Sequence, residues 1–253
     1  MNICLFSQEE ITSPLSLQDE RAHHILSVLH KKEGDSFSAG IIGGMAGTAV
    51  ITKIGRTESS APNGKKYKDG YIFFTFTPET DGKHLLPLAM IIGFPRPIQL
   101  RRLLRDMASL GVSEIHLTGT ELGEKSYLQS GIATSGDGRR FLLEGAAQAA
   151  STRIPSLFMH SSLKECLAAT DLHCPRFALD NKEASRSLSE ALQKKPEKAA
   201  AAIGSERGWT DSERNLLKEN GFELLRMGSR VLRTETAATA SAALILGAMG
   251  LLN

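Results

Sequence analysis

The sequence predicts an α/β protein in two parts: a small β-rich domain over residues 1–82, and a larger domain over residues 83–253 with a mainly parallel sheet. In the first part, short apolar runs are separated by Gly-rich turns, which is typical of strands joined by tight turns. From Leu85 onward, apolar runs alternate with segments of helical period, which is typical of parallel strands connected by helices. With 253 residues, of which 41% are hydrophobic, the chain is long and apolar enough for a core in each part.

The first domain contains three apolar runs that predict strands, at residues 41–42, 49–51 and 71–74. The segment from Asp19 to His30 predicts one helix, with Asp19 as its N-cap residue. The polar segment 59–69 predicts an exposed hairpin loop, because it contains Asn63-Gly64 and three lysines. The segment 78–83 predicts a linker.

The second domain contains five predicted strands, at residues 88–94, 115–117, 176–180, 199–203 and 222–226. The first of these is a continuous apolar run, as expected of a strand that is buried on both faces. Helices are predicted over 97–110, over 139–152, from the capping box Thr210-Asp-Ser-Glu213 to Gly221, and over the Ala-rich stretch 237–252.

Composition excludes several classes of protein. The net charge of +2 is too small to indicate nucleic-acid binding by itself, and the stretch 237–252 is shorter than the roughly 20 residues that span a membrane. The three cysteines are scattered, and the seven histidines show no metal-ligand spacing. We therefore expect no disulfide, no metal, no membrane partner and a reducing, cytoplasmic setting.

Two glycine-bearing loops, 203–209 and 225–236, each follow a predicted strand. Parallel sheets bind ligands at the carboxyl ends of their strands, and glycine lets the backbone come close to a ligand. On spacing alone, the alternative that Gly204, Gly208 and Gly228 only form turns stays open, because short glycine patterns are not specific.

The second loop carries a longer motif. Met227-Gly-Ser-Arg-Val-Leu-Arg-Thr-Glu-Thr-Ala237 resembles the Leu-Gly-x-Arg-Ile/Val-Leu-Arg-Thr-Glu-Thr-Ala signature of the ribosomal RNA uridine-N3 methyltransferase family, often called RsmE, in the SPOUT superfamily. The first loop is similar to the family's Ile-Gly-Pro-Glu-Gly-Gly-Phe/Trp motif, with Ser205 and Arg207 in place of the proline and the second glycine. His23-His24, followed by Gly34-Asp35, resembles the opening of the family's PUA-like RNA-binding domain.

This resemblance implies a SPOUT methyltransferase domain with a trefoil knot, preceded by a PUA-like domain. It also implies S-adenosyl-L-methionine (SAM) as cofactor, a homodimer, and methylation of N3 of a uridine in bacterial 16S ribosomal RNA of the small ribosomal subunit. The cofactor-binding residues that it implies are Leu179, Asp180, Gly204, Ser205, Glu206, Gly208, Leu225, Met227, Gly228, Val231, Leu232 and Thr234.

Methylation of a uridine N3 requires alignment, and it requires a way to handle charge as the N3 proton leaves. We expect Arg233 to stabilise the developing uracil anion, with Arg230 as the second choice. Glu235 is expected to orient that arginine or to take the proton; its alternative role is to stabilise the start of the last helix through the helix dipole.

Two alternative functions stay open at this point. One is a SPOUT methyltransferase with another target, such as a ribose 2′-hydroxyl. The other is a non-catalytic RNA-binding relative, an alternative that rests on the substitutions at Ser205 and Arg207.

Overall fold

The structure of the chain is a computed structural model that describes residues 2–60, 66–129, 136–170 and 173–252. The chain divides into two compact units, Met1–His84 with Ala146–Arg153 and Leu85–Gly145 with Ile154–Asn253. The domain boundary between residues 82 and 83 stays a prediction. The sequence pattern did not indicate that the segment Ala146–Arg153 belongs to the first unit.

The first unit is built on a five-stranded sheet with the order β1-β3-β4-β5-β2. Its strands are β1 (Cys4–Phe6), β2 (Leu15–Ser16), β3 (Ser36–Ile41), β4 (Ala46–Ser60) and β5 (Lys66–Thr80). β1 and β3 are parallel, and the other neighbours are antiparallel. The helix α1 (Glu20–His23) begins after Asp19, whose carboxylate accepts a hydrogen bond from the Arg21 N–H, and it continues as a π-helix over His24–Val28.

Backbone hydrogen bonds explain why Ala146–Arg153 belongs to the first unit. The N–H of Asn2 donates to the carbonyl of Ala147 at 2.9 Å, and the N–H of Gly43 donates to the carbonyl of Thr152 at 2.7 Å. The Thr152 hydroxyl donates in turn to the carbonyl of Gly44 at 2.7 Å. The segment is thus tied to both the N-terminal strand and the β3–β4 turn.

The second unit is built on a seven-stranded sheet with the order β10-β12-β9-β11-β6-β7-β8, in which every neighbouring pair is parallel. The strands are β6 (Leu86–Gly93), β7 (Val112–Thr118), β8 (Ser156–His160), β9 (Arg176–Leu179), β10 (Arg186–Ser187), β11 (Ala199–Ile203) and β12 (Phe222–Arg226). The helices are α2 (Pro97–Leu110), α3 (Asp137–Gln148), α4 (Leu163–Ala169), α5 (Leu188–Ala191), α6 (Asp211–Glu219) and α7 (Thr234–Ala248). Short 3-10 turns lie at Glu10–Thr12, Lys125–Gln129 and Leu192–Lys194.

The central strand β11 consists of four alanines and Ile203, all of them buried. Successive side chains of a strand point to opposite faces, and alternate residues of β11 accordingly belong to two separate cores. One core includes residues of α2 and α7, and the other includes residues of α4 and α6. Helices therefore cover both faces, as a parallel sheet requires.

Most of the predicted elements are confirmed. The parallel sheet is present, α2 has the predicted bounds, and Gly111 ends it in the left-handed conformation with φ of 78°. The capping box at the start of α6 is formed, with the Thr210 side chain bonded to the Glu213 N–H and the Glu213 side chain bonded to the Thr210 N–H.

Two predictions in the first unit were wrong in extent. The predicted hairpin loop 59–69 is shorter, because β4 and β5 pair up to Ser60 and Lys66; residues 61–65 lie outside the described ranges. The predicted linker 78–83 is partly strand, because β5 runs to Thr80. In both segments, backbone pairing within a long hairpin extends the strands through polar sequence that carries no apolar pattern.

Three differences arise in the second unit. The predicted helix 139–152 is α3, which begins at Asp137 and ends at Gln148, shortly before Ala150 adopts the left-handed conformation with φ of 54°. β8, β10, α4 and α5 were not predicted: β8 is an edge strand whose residues are mostly exposed and whose apolar run is only three residues long, and β10 and α5 have two and four residues. The last helix begins at Thr234, three residues before the predicted start, with Glu235 in its first turn where a negative charge suits the helix dipole. Among the described residues, no helix is long and apolar enough to cross a bilayer.

The packing of α2 against α3 leads to a first prediction. A Cβ atom added at Gly145 would lie 2.4 Å from the Arg105 carbonyl oxygen, so the two helices must separate to admit it. We expect Gly145→Ala to lower the free energy of unfolding by about 1–3 kcal/mol in a denaturant titration. As the control, Gly55→Ala in β4 meets only Phe73, at an ordinary 3.6 Å, and should leave stability unchanged or raise it by up to about 1 kcal/mol. Equal effects of the two substitutions would contradict this description of the helix contact.

Candidate functional site

The site lies where three neighbouring strands of the parallel sheet end together. In the sheet, Leu225 of β12 is paired with Leu179 of β9, and Leu179 is paired with Ile203 of β11. The loops that follow these three strands therefore leave the same edge of the sheet side by side. They enclose a cavity of about 240 Å³.

The cavity is lined by residues from all three loops and from two helices. These residues are Leu179, Asp180, Asn181, Lys182, Ile203, Gly204, Ser205, Glu206, Arg207, Gly208, Arg214, Met227, Arg230, Val231, Leu232, Thr234 and Ala237.

The loop after β9 is shaped by the carboxylate of Asp180. One of its oxygens accepts hydrogen bonds from the N–H groups of Lys182 at 2.8 Å and Glu183 at 2.6 Å. The other oxygen accepts from Nε of Arg214 in α6 at 2.9 Å, and both of these side chains are at least 97% buried. A charged pair removed from water in this way is stable only when its remaining hydrogen bonds are also made, and here the backbone of the loop makes them.

The loop after β11 is a tight turn that touches the neighbouring strand β6. The N–H of Gly208 donates to the carbonyl of Ser205 at 2.8 Å, and Gly208 has a φ of 76°, which favours glycine. A Cβ atom at Gly93, the last residue of β6, would lie 2.5 Å from the Ser205 nitrogen. The backbone of this loop can therefore lie against the sheet only because residue 93 has no side chain.

Two further hydrogen bonds join the three loops to one another. The indole Nε1 of the buried Trp209 donates to the carbonyl of Leu179 at 3.0 Å, which ties the loop after β11 to the end of β9. The hydroxyl of Thr234, the first residue of α7, donates to the carbonyl of Gly204 at 3.1 Å. This bond ties the end of the loop after β12 to the loop after β11. Each loop is thus bonded to another loop or to the helix beside it.

One residue of the cavity wall, Ser205, has an unsatisfied polar group. The hydroxyl oxygen of Ser205 is buried and has no hydrogen-bond partner in the described protein. Buried polar atoms are rarely left without a partner, so this hydroxyl indicates a place where a ligand atom would bond. The neighbouring Glu206 is exposed and forms an ion pair with Arg96 at 3.2 Å.

The structure brings most of the predicted cofactor residues together. All of them line the cavity except Leu225 and Gly228. Leu225 is buried within β12, where its carbonyl accepts a hydrogen bond from the Asp180 N–H. Gly228 has a φ of 75°, so it contributes a backbone turn to the third loop.

The three predicted catalytic residues lie along the third loop and the start of α7. Arg230 lines the cavity and is exposed. Arg233 is the N-cap residue of α7 and is also exposed, and neither it nor the half-buried Glu235 lines the cavity. The assignment of these residues, like that of the cofactor residues, stays a prediction.

Sequence analysis missed two residues that build the site. Arg214 was not found because a charged residue in an amphipathic helix normally faces solvent, and nothing in its spacing indicates burial. Gly93 lies inside the predicted strand 88–94, and a glycine within a strand is a signal of a close backbone approach. Ser205 and Arg207, the two substitutions in the first motif, leave the cavity open: Ser205 is buried in its wall, and Arg207 is exposed.

The fold and the cavity define an RNA methyltransferase of the α/β class. The RNA methyltransferase domain family matches residues 83–246, and the RNA methyltransferase PUA domain family matches residues 17–60. These matches confirm the predicted α/β domain with its parallel sheet and the PUA-like domain that precedes it.

Comparison of whole chains identifies the family within this class of RNA methyltransferases. The chain is 43% identical to ribosomal RNA small subunit methyltransferase E of Treponema pallidum (strain Nichols), over 97% of this chain and 91% of that protein. It is 31% identical to ribosomal RNA small subunit methyltransferase E 1 of Borreliella burgdorferi (strain ATCC 35210 / DSM 4680 / CIP 102532 / B31), over 100% of both chains. The chain belongs to the ribosomal RNA small subunit methyltransferase E family, which confirms the resemblance seen in its motifs.

Among solved structures, the fold is similar to that of ribosomal RNA small subunit methyltransferase E from Neisseria gonorrhoeae, a structure with SAM bound. The TM-score is 0.74 at 20% identity, and the match covers 98% of this chain and 97% of that chain.

The buried ion pair below the cavity leads to a second prediction. Arg214→Met should leave the Asp180 carboxylate buried without its charged partner and lower the free energy of unfolding by about 3–5 kcal/mol. The matched control is Arg186→Met, which breaks a pair with Glu223 in which the arginine side chain is 40% exposed. Because water screens an exposed pair, this change should cost only about 0–1 kcal/mol. Denaturant titration of both variants measures the difference, and similar losses would contradict the role assigned to Arg214.

Proposed function

We propose that this protein transfers the methyl group of SAM to N3 of a uridine in 16S ribosomal RNA, acting on the small ribosomal subunit in the cytoplasm. The observation that carries the proposal is the cavity at the ends of β9, β11 and β12, whose walls contain both sequence motifs. The names of the Treponema and Borreliella relatives and the SAM bound to the Neisseria protein support the same reaction and cofactor.

The residues present in the cavity fit SAM. The unpartnered Ser205 hydroxyl offers a hydrogen bond to a polar cofactor group, and Leu179, Met227 and Leu232 offer apolar contacts. Gly204 and Gly208 hold their backbones close together, since a Cβ atom at Gly204 would lie 3.0 Å from Gly208, and this leaves backbone groups accessible to a ligand. When bound, the cofactor supplies an electrophilic methyl group on a positively charged sulfur.

The chain's own task is to align the uracil ring and to handle the charge of its anion. We assign this to Arg233, with Arg230 as the second cation, because a guanidinium fork can bond to the O2 or O4 atom that gains negative charge as N3 loses its proton. Both arginines are exposed, as a contact with an incoming RNA requires. Glu235, two residues beyond Arg233, either accepts the N3 proton or orients the guanidinium. Its position in the first turn of α7 also supports the purely structural role.

A homodimer is part of the proposal. The exposed side of α7 carries small residues and one leucine, with Leu244 45% exposed and Gly247 exposed. Small residues permit close packing of a second helix, so this face suits a second copy of the chain. Sedimentation equilibrium measures the mass directly, and a monomer at micromolar concentration would remove this part of the proposal. The trefoil knot likewise stays a prediction.

The close contact at Gly93 leads to a prediction about cofactor binding. We expect the wild-type protein to bind SAM with 1:1 stoichiometry in isothermal calorimetry. Gly93→Ala should raise the dissociation constant by at least about tenfold, because the new methyl group displaces the backbone at Gly204 and Ser205. Gly55→Ala in β4 is the control: its nearest contact would be an ordinary 3.6 Å to Phe73, so SAM affinity should not change. No binding by the wild type would refute the cofactor assignment.

The reaction itself is tested with Arg233→Lys. If the planar guanidinium stabilises the uracil anion, lysine should lower kcat by about 10- to 100-fold despite its equal charge, with little effect on SAM affinity. Small ribosomal subunits that lack the modification are incubated with enzyme and SAM, and the digested RNA is analysed by nucleoside mass spectrometry. The expected product is N3-methyluridine. A 2′-O-methylated nucleoside would instead establish a different target, and SAM binding without any methyl transfer would establish a non-catalytic RNA-binding protein.

A further inference from the structure

A second group of reactive side chains lies in the second unit, toward the opposite edge of the sheet from the cavity. His116 of β7, His160 of β8 and Cys166 of α4 place one ring nitrogen each and the sulfur within 4.8 Å of one another. The cavity is built on β9, β11 and β12, whereas β7 and β8 form the opposite edge of the sheet. All three residues are buried, and Cys166 is fully so.

We propose that His116, His160 and Cys166 form a binding site for a thiophilic transition metal of the Zn²⁺ class. Its protein ligands would be Nδ1 of His116, Nε2 of His160 and the thiolate of Cys166, and a water molecule would take the fourth position of the tetrahedron. Two imidazoles with one thiolate and no carboxylate favour Zn²⁺ or Cu⁺ over Mg²⁺, Ca²⁺ or Mn²⁺, which prefer oxygen ligands. This proposal replaces the expectation of a metal-free protein that the spacing of the histidines and cysteines produced.

The distance between the two nitrogens suits such an ion, and the three ligand atoms lie within 4.8 Å of one another. Zn²⁺ binds nitrogen at about 2.0–2.1 Å and sulfur at about 2.3 Å, so tetrahedral ligation places two nitrogens roughly 3.3 Å apart and nitrogen and sulfur roughly 3.6 Å apart. The Nδ1 atom of His116 and the Nε2 atom of His160 are 3.1 Å apart. Binding requires the hydrogen bond between the two rings to break, and the rings and the Cys166 side chain to turn toward a common point.

A carboxylate behind His116 is the second observation that points to a metal. Oε2 of Glu114 lies 3.2 Å from Nε2 of His116, on the side of the ring away from the cluster. A neutral His116 that donates its Nε2–H to this carboxylate has a lone pair on Nδ1, which is the atom that faces His160 and Cys166. Metal-binding histidines commonly have such a carboxylate partner, because it fixes the tautomer and the ring orientation. The ring of Phe158 stacks on His116 with the ring centroids 4.8 Å apart.

The protonation states are compatible with binding and define its proton balance. Burial lowers the pKa of both histidines, which favours the neutral imidazoles that metal ligation requires. Burial raises the pKa of the Cys166 thiol to about 12, so the thiol carries its proton until the metal displaces it. One proton is then released to solvent for each ion bound, and the proton on Nε2 of His160 moves to Nδ1 of the same ring.

The consequence of binding is structural. β8 is the edge strand of the sheet, and two of its residues, Phe158 and Met159, are 43% and 37% exposed. An ion at this site would connect β8 and the short helix α4 to β7, which lies one strand further into the sheet.

The test uses Co²⁺ as a spectroscopic substitute for Zn²⁺, added to the chelator-treated full-length protein. We expect 1:1 binding with thiolate-to-cobalt charge-transfer absorption and visible bands of tetrahedral cobalt, and displacement of both by Zn²⁺. Cys166→Ser should abolish the charge-transfer band, and His160→Gln should weaken binding at least about 100-fold. Saturating Zn²⁺ should raise the melting temperature of the wild type by roughly 5 °C or more and leave Cys166→Ser unchanged.

The control is Cys4→Ser, which removes a buried thiol of the first unit and should keep the full cobalt spectrum. SAM binding and far-ultraviolet circular dichroism of each variant establish that it is folded. A folded wild type without a thiolate-to-cobalt band would overturn the proposal. So would a Cys166→Ser variant that binds Co²⁺ as tightly as the wild type, since both results leave the histidines as an ordinary hydrogen-bonded pair.

Discussion

The buried ion pair between Asp180 and Arg214 is the interaction on which the rest of the site depends. Removing two charges from water is costly, and it is tolerated here because each polar atom of the Asp180 carboxylate is bonded, to Arg214 on one side and to two backbone N–H groups on the other. The pair fixes the loop after β9 against α6, and α6 follows directly on the loop after β11. The Trp209–Leu179 and Thr234–Gly204 hydrogen bonds then extend the connection to the third loop. The three loops are therefore connected to one another by bonds within the protein.

The site has two parts with different tasks: the buried walls that these bonds connect, and the exposed part of the loop after β12. The walls at Asp180 and Gly204 are buried and hydrogen-bonded, so a cofactor that binds there does not have to order them, and little binding energy is lost to loop ordering. The loop after β12 is exposed instead. Its Val231 is 80% exposed, and Arg230 and Arg233 on either side of Val231 are also exposed. A buried wall suits a small cofactor of constant shape. An exposed loop with two arginines suits a polyanion, whose phosphates and bases must be contacted from outside.

The sequence was informative where a residue's neighbours along the chain determine its structure. The glycine loops, the capping box of α6 and the apolar run of β6 are local patterns, and the structure has an element at each of them. The resemblance of the two loops to a family motif also brought together residues that the structure places around one cavity. The burial of a side chain and its contact partners could not be predicted from local sequence, because they depend on residues that are distant in the chain. Arg214 is 34 residues from Asp180, and His116 is 44 residues from His160, so no spacing rule could pair them. The edge strand β8 was missed for a related reason, since an exposed strand is held by its neighbour and needs no apolar pattern of its own.

The most direct test of a preformed cofactor cavity is a crystal structure of the protein with S-adenosylhomocysteine, the stable product of methyl transfer. We predict that the ligand lies between the loops after β9, β11 and β12, with a polar atom bonded to the Ser205 hydroxyl. We also predict an intact Asp180–Arg214 pair and backbone shifts of no more than about 1 Å in the loops after β9 and β11. A ligand bound elsewhere, or a cavity that forms only when the Asp180–Arg214 pair breaks and the loops rearrange, would contradict these predictions.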